Sequence, residues 1–199
     1  MFTGIIQATG KITAVHTSNA TAEGDLALTV DPGNLDLSDV NLGDSIAVDG
    51  VCLTVKSLAN QRIHFDVSAE TLRCTHGLNC VDKTINLEKA LRLADRLGGH
   101  LVSGHIDAIG IVTRCIPAGE SVTLDVEVPN AITRFLTHKG SVAVNGVSLT
   151  INQMTNDIFS VNLIPHTLMV TALGQLQPGS PVNLETDMLA RYVARLLNL

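Results

Sequence analysis

The stretch VDGVCLTV, ending at Val55, returns as VNGVSLTI, ending at Ile151, with Asn145 for Asp49 and Ser148 for Cys52 at a constant offset of 96 residues. The likeness extends beyond these eight letters. TGIIQATGKI from Thr3 resembles SGHIDAIGIV from Ser103, and GDSIAVDGVCLTV aligns with KGSVAVNGVSLTI. FDVSAETLRCT matches FSVNLIPHTLMVT on the expectation that the second copy carries two extra residues, and TINLEKALRLADRL matches PVNLETDMLARYVARL. Four blocks in one order, spaced near 97 residues, make the chain a tandem duplication. Its fold must be built twice, each time from about half of the 199 residues.

Each copy reads mostly as strand. Alternation and β-branched residues mark SIAVDGVCLTV, IHFDVSA, SVTLDVEV, SVAVNGVSLTI and IFSVNLI. Turn letters such as PGN, LGD, PAGE and QPGS separate them. Roughly six short strands per copy predict an all-β chain of two homologous six-stranded antiparallel barrels in tandem, since closure removes exposed strand edges. Periodicity alone leaves a sandwich open. Two segments read as helices. In DMLARYVARLLNL, Met188, Leu189, Tyr192, Val193, Leu196 and Leu197 recur at helical spacing, with Arg191 and Arg195 opposite and Thr186 or Asp187 as cap. EKALRLADRL is the first-copy equivalent, with Gly98-Gly99 as its C-cap and a hinge. The expected division is residues 1–97, 98–186 and a C-terminal oligomerisation helix over 187–199. Its apolar stripe needs a covering surface, from its own barrel or from another subunit.

Composition excludes several partners. The chain has no Trp, one Tyr and four Phe, and its formal charge is −6, so neither base stacking nor phosphate binding is expected. No run of about 18 apolar residues occurs, so no membrane-spanning helix is expected. MFTGIIQATGK lacks a basic region followed by an apolar core, which makes the cytoplasm the expected compartment. Cys52, Cys74, Cys80 and Cys115 form no C-x-x-C pair, and no zinc spacing of Cys and His is visible.

Taken together, MFTGII, GDSIAVDGVCLTV, GGHLVSGHIDAIG, KGSVAVNGVSLTI and LIPHTL resemble the riboflavin synthase family of the alpha type, over essentially the whole chain. The resemblance implies dismutation of two 6,7-dimethyl-8-ribityllumazine molecules, two per site. One donates a four-carbon unit to the other, giving riboflavin and 5-amino-6-ribitylamino-pyrimidinedione, with no cofactor and no metal. It implies a homotrimer whose reaction site lies between the first barrel of one chain and the second barrel of another. First-barrel contacts would come from Cys52, Leu53 and Thr54, from Asp66, Val67, Ser68, Ala69, Glu70 and Thr71, and from Gly104, His105 and Ile106. Second-barrel contacts would come from Ser148, Leu149 and Thr150, from Asn162, Leu163, Ile164, Pro165, His166 and Thr167, and from Gly4, Ile5 and Ile6. Lys139 would reach a ligand held by a neighbouring subunit.

Two like substrates with unlike roles suit a repeat that breaks its own symmetry at Cys52 against Ser148 and Ile5 against His105. Cys52, His105, Ser148, Asp187 and Ser45 are the catalytic candidates. A pocket thiol can serve as nucleophile or proton relay, although a free Cys often packs as a small hydrophobe. Ser148 and Thr150 are as readily strand hydroxyls with satisfied hydrogen bonds. Histidine is the usual acid or base near neutral pH; His100 has equal chemical claim, and the repeat favours His105. Asp187 has a plain role as helix cap, with catalysis beside Ser148 as the alternative. Asp49 and Asn145 invert the Asn and Asp order usual in the resembled family, and RCTHGLNCVDKT is an expected variant surface loop. A non-catalytic lumazine or flavin antenna protein of the same fold is the nearest rival function. A flavin-dependent oxidoreductase is discarded, because no G-x-G-x-x-G follows a strand.

Overall fold

In the computed structural model, which describes residues 1–17 and 24–197, two closed antiparallel barrels stand in tandem. The first runs β1 (Ala8–Thr17), β2 (Leu26–Asp31), β3 (Ser45–Val48), β4 (Val51–Ala59), β5 (Arg62–Val67), α1 (Ala69–Cys74) and β6 (Thr84–Lys89). The second runs β7 (Ala108–Ala118), β8 (Ser121–Glu127), α2 (Asn130–Thr133), β9 (Ser141–Val144), β10 (Val147–Thr155), β11 (Ile158–Leu163), α3 (Pro165–Val170), a 3-10 turn (Ala172–Gln175) and β12 (Pro181–Thr186). Helix α4 (Met188–Leu196) follows, and residues 198–199 of the expected helical segment lie outside the described residues. Both barrels close in the same cyclic order, β1-β2-β5-β4-β3-β6 and β7-β8-β11-β10-β9-β12. A sandwich is thereby excluded.

Alternation decides which side chains fill the barrels. In β4, Val51, Leu53 and Val55 point inward, so Cys52, Thr54 and Lys56 point out. Ile63, Phe65 and Val67 of β5 complete the same core, each fully buried apolar side chain contributing about 1.5–3 kcal/mol. The β3–β4 and β9–β10 hairpins turn on Asp49-Gly50 and Asn145-Gly146, with φ of 46° and 82°, and of 45° and 80°. Two successive positive φ angles are what a two-residue hairpin demands, and Asp-Gly and Asn-Gly supply them. The two turns touch: a Cβ on Gly50 would stand 2.7 Å from the Gly146 nitrogen.

Around that contact the barrels are cross-bonded twice. Asn86 Nδ2 donates to the Asn145 carbonyl (2.9 Å) and its Oδ1 accepts from Ala172 N (2.7 Å). Asn183 Nδ2 donates to the Asp49 carbonyl (3.2 Å) and its Oδ1 accepts from His76 N (2.7 Å). RCTHGLNCVDKT is therefore not a free surface loop. Leu78 enters the first core, and the His76 backbone is tied to the second barrel.

Two further expectations are corrected. EKALRLADRL forms no helix: Glu88 and Lys89 end β6, paired with Ala47 and Ile46, and the following residues run as turns. Barrel closure takes the would-be first turn. What remains is held by Arg92 on Asp39 and Asp95 and by Leu91 N on the Met1 carbonyl (2.9 Å), leaving Leu93 fully exposed. A helix of so few residues is marginal by itself. The two-residue insertion is also absent, because β11 and α3 follow β5 and α1 at an unbroken offset of 96. A slip of two preserves strand alternation, so letters alone could not reject it.

Candidate active site

The two outward faces at β3–β4 and β9–β10 carry the symmetry-breaking residues. On the first, Ala47 pairs with Cys52 and Ser45 with Thr54. Asp66 of β5 lies beside them, bound to Lys56 Nζ at 2.8 Å. On the second, Ala143 pairs with Ser148 and Ser141 with Thr150, while Asn162 replaces Asp66. Each face is completed by the segment that precedes the other barrel. Cys52 N donates to the Gly104 carbonyl (2.8 Å) and Ser148 N to the Gly4 carbonyl (2.8 Å). Gly4 and Gly104, at φ 75° and 83°, lie so close to Ser148 and Cys52 that an added Cβ would stand 2.6 and 2.5 Å from theirs. Ile106 packs on the first core and Ile6 on the second, and the strands bridge at Phe2 and Val102.

One buried carboxylate per barrel holds each crossing segment. Glu88 accepts from Thr3 N (2.7 Å), Thr3 Oγ1 (2.6 Å) and Gly4 N (3.0 Å). Glu185 accepts from Ser103 N (2.6 Å), Ser103 Oγ (2.6 Å), Gly104 N (2.8 Å) and His105 N (3.1 Å). Burial pushes the Glu88 carboxyl up, and these donors oppose the shift. Sequence reasoning missed both residues, although Glu88 and Glu185 follow matching asparagines in the repeat.

The second face holds a partner that the first lacks. Ser148 Oγ lies 2.7 Å from His100 Nδ1, whereas among the described residues the Cys52 thiol has no hydrogen-bond partner. His105, favoured at the sequence level, stands exposed beside the first face through Gly104. Asp187 caps α4, its Oδ1 accepting from Leu189 N (3.0 Å), and it is close enough to act electrostatically on His100. Among the described residues no cluster of His, Cys, Asp and Glu could hold a metal ion.

Against known proteins, the lumazine binding domain model matches residues 3–90 and again 103–187. A riboflavin synthase of Photobacterium phosphoreum is 43% identical over 198 residues, covering 99% of this chain and 89% of that protein. One of Bacillus subtilis is 41% identical, covering 100% and 90%, and one of Mycobacterium tuberculosis 42%, covering 99% and 98%. The chain belongs to the riboflavin synthase family. The fold is also that of LumP complexed with 6,7-dimethyl-8-(1'-D-ribityl) lumazine, at TM-score 0.81 and 24% identity over 94% of this chain and 99% of that one.

In this riboflavin synthase family chain the expected contact residues divide by side-chain direction. Cys52, Thr54, Asp66, Ser148, Thr150 and Asn162 are at least partly open on the two faces, while Ser68, Ala69 and Glu70 are exposed at the start of α1 and Ile164, Pro165 and His166 at the start of α3. Leu53, Val67 and Leu163 turn into the cores, so only their backbones are available there. Ser45 lines a cleft of about 210 Å³ with Ala90 and Arg92. Lys139 is exposed on a left-handed turn (φ 64°) before β9. A cleft of about 550 Å³ borders the segment that completes the second face at Thr3 and Ile5, with Gly98 beside them.

Proposed function

We propose that the chain works as a riboflavin synthase, moving a four-carbon unit between two 6,7-dimethyl-8-ribityllumazine molecules. One observation carries the reading: two homologous faces, one bearing Cys52 and one Ser148, in a chain 43% and 41% identical to two curated riboflavin synthases over 99% and 100% of its length. Two molecules of one compound bind to two like faces, and holding them together removes about 7–11 kcal/mol of barrier in favourable cases.

The open faces support a site completed by another copy, the first barrel of one chain against the second barrel of its neighbour. Helix α4 supports the same assembly. Arg191 Nη1 donates to Asp107 Oδ1 (2.9 Å) and Ala194 is buried, while Leu189, Tyr192, Val193, Leu196 and Leu197 face solvent. An apolar stripe turned from its own barrel fits a subunit contact. We propose a homotrimer, a cytoplasmic location, and lumazine contacts from the residues on each face, with Lys139 reaching a neighbour's ligand. The division into residues 1–97, 98–186 and 187–199 belongs to the same proposal.

The test is to mix the chain with dimethylribityllumazine alone and follow riboflavin absorbance. One riboflavin formed for two lumazines consumed is the expected result. The fold shared with LumP favours a second reading, binding without turnover, which tight lumazine binding and no riboflavin would establish.

A further inference from the structure

The inter-barrel linker brings one side chain under the second face by a route that demands glycine. A Cβ on Gly99 would collide with the Thr3 carbonyl oxygen and stand 2.7 Å from Ser148 Cβ and 2.8 Å from its Oγ. Only a residue without Cβ lets the backbone pass so close. His100 follows at once. Its N–H donates to the Thr3 carbonyl (3.2 Å), and its Nδ1 lies 2.7 Å from Ser148 Oγ. The side chain is 7% exposed, and Nε2 is buried with no hydrogen-bond partner among the described residues. A buried ring nitrogen left unpaired is unfavourable, and such exceptions cluster where chemistry uses the group. Burial pushes the ring's pKa down, with the Asp187 and Glu185 carboxylates drawing it partly back, so the resting ring is neutral near pH 7.

We infer that His100 is the positioning residue of the second face, its Nδ1 accepting the Ser148 hydroxyl proton so that the serine oxygen presents lone pairs to whatever binds there. This rests on the reading of that face as a lumazine site. When Ser148 Oγ takes a proton from a bound lumazine or water, its own proton passes to Nδ1. One bond to hydrogen breaks at the substrate and one at Oγ, and one forms at Oγ and one at Nδ1. The products are a bound anion and an imidazolium, which Asp187 at the α4 cap and Glu185 on β12 stabilise. Among the described residues Cys52 has no such partner, so proton handling belongs to one face and the two substrates take unlike roles.

The test uses the full chain with His100→Asn, Ser148→Ala and the double variant. His100→Asn is expected to lower kcat roughly 30-fold near neutral pH while lumazine Kd stays within about three-fold, since the interaction serves the transition state. Its kcat profile should lose the acid limb of the parent chain. The double variant should be no slower than the worse single variant, because the two groups act as a unit. A His100→Asn kcat within two-fold of the parent, a retained acid limb, or losses that multiply would overturn the inference. Should His100→Asn fail to bind lumazine or lose its thermal transition, ring-nitrogen NMR of isotope-labelled parent chain decides. An unprotonated Nδ1 that shifts on Ser148→Ala supports the pair, and a protonated Nδ1 sinks it. If the parent chain makes no riboflavin, the lumazine-site reading fails first, and NMR still reports separately on the pair.

Discussion

The two barrels agree at the carboxylates and asparagines that hold their crossings and differ at several positions on their outer faces. Glu88 and Glu185 do one task in two places, as do Asn86 and Asn183. By contrast, Ser148 meets His100 where the Cys52 thiol has no hydrogen-bond partner among the described residues, and Lys56 holds Asp66 where the second copy has Asn152 and Asn162. A third pair differs on β1–β2–β5 against β7–β8–β11. There Thr29 bonds His64 (3.0 Å), whereas Asp125 binds Arg114 Nε (2.7 Å) and Ser160 Oγ (2.5 Å). A change at one crossing touches both barrels, whereas a change on one outer face touches that face.

The strongest way to break this comparison is to remove the element that only the second barrel carries. Ending the chain before Asp187 should give monomers by light scattering and lower turnover roughly 100-fold or more, because substrates on two open faces lose their mutual orientation. Lumazine binding should persist. A truncated chain that stays trimeric removes α4 from the assembly.

Exchanging the face residues sharpens it. Cys52→Ser and Ser148→Cys should each lower kcat roughly 10–100-fold, about 1.4–2.8 kcal/mol of barrier, with lumazine titrations within a few-fold of the parent. The double exchange should not restore the rate, since Ile5, His105 and His100 still distinguish the faces. Parental turnover in both single variants would make Cys52 and Ser148 mere walls.

The shared carboxylates probe the symmetric half. Glu88→Gln and Glu185→Gln each set an amide against backbone donors, and each should cost about 1–3 kcal/mol in urea unfolding. Near-equal losses confirm one device used twice. A loss at only one site would show that the crossings are not equivalent.

Asp49→Asn, which copies Asn145 into the first barrel, carries the smallest effect. The Asp49 carboxylate accepts from Asn86 N (2.8 Å) and pairs with Lys83 Nζ (2.7 Å). Burial raises its pKa despite Lys83. Between the ordinary carboxylate range and the raised value the folded group binds protons more readily than the unfolded one, so its contribution to stability falls as pH rises through that window. Asn abolishes that slope and keeps the bond to Asn86 N, and because the part-exposed Lys83 can turn to water, neutral stability should change by about 1 kcal/mol or less. Urea midpoints from mildly acidic to neutral pH measure it; an unchanged slope would mean Asp49 does not titrate there.

Much of this was legible in the letters. The offset of 96, the alternation in VCLTV and VSLTI, and the Asp-Gly and Asn-Gly turns define two hairpin-rich barrels and the outward placement of Cys52 and Ser148. These are local properties, because a pleated strand sends alternate side chains to opposite faces wherever it lies. The helix over EKALRLADRL was misread for a related reason. Its periodicity is local, but Glu88 is claimed by Thr3 and Gly4 at the far end of the copy.

What the letters determined, then, is the duplication, the strands, the turns and the face on which each strand residue lies. The family resemblance already set residues 4–6 beside Ser148 and residues 104–106 beside Cys52; tertiary structure alone decided that His100 rather than His105 meets the serine, and that the apolar stripe of α4 faces away from its own barrel. Each depends on contacts between residues tens of positions apart. Strand period carries no information about which distant segment will close a barrel's outer face. That choice falls to hydrogen bonds and close packing that exist only once both barrels have formed.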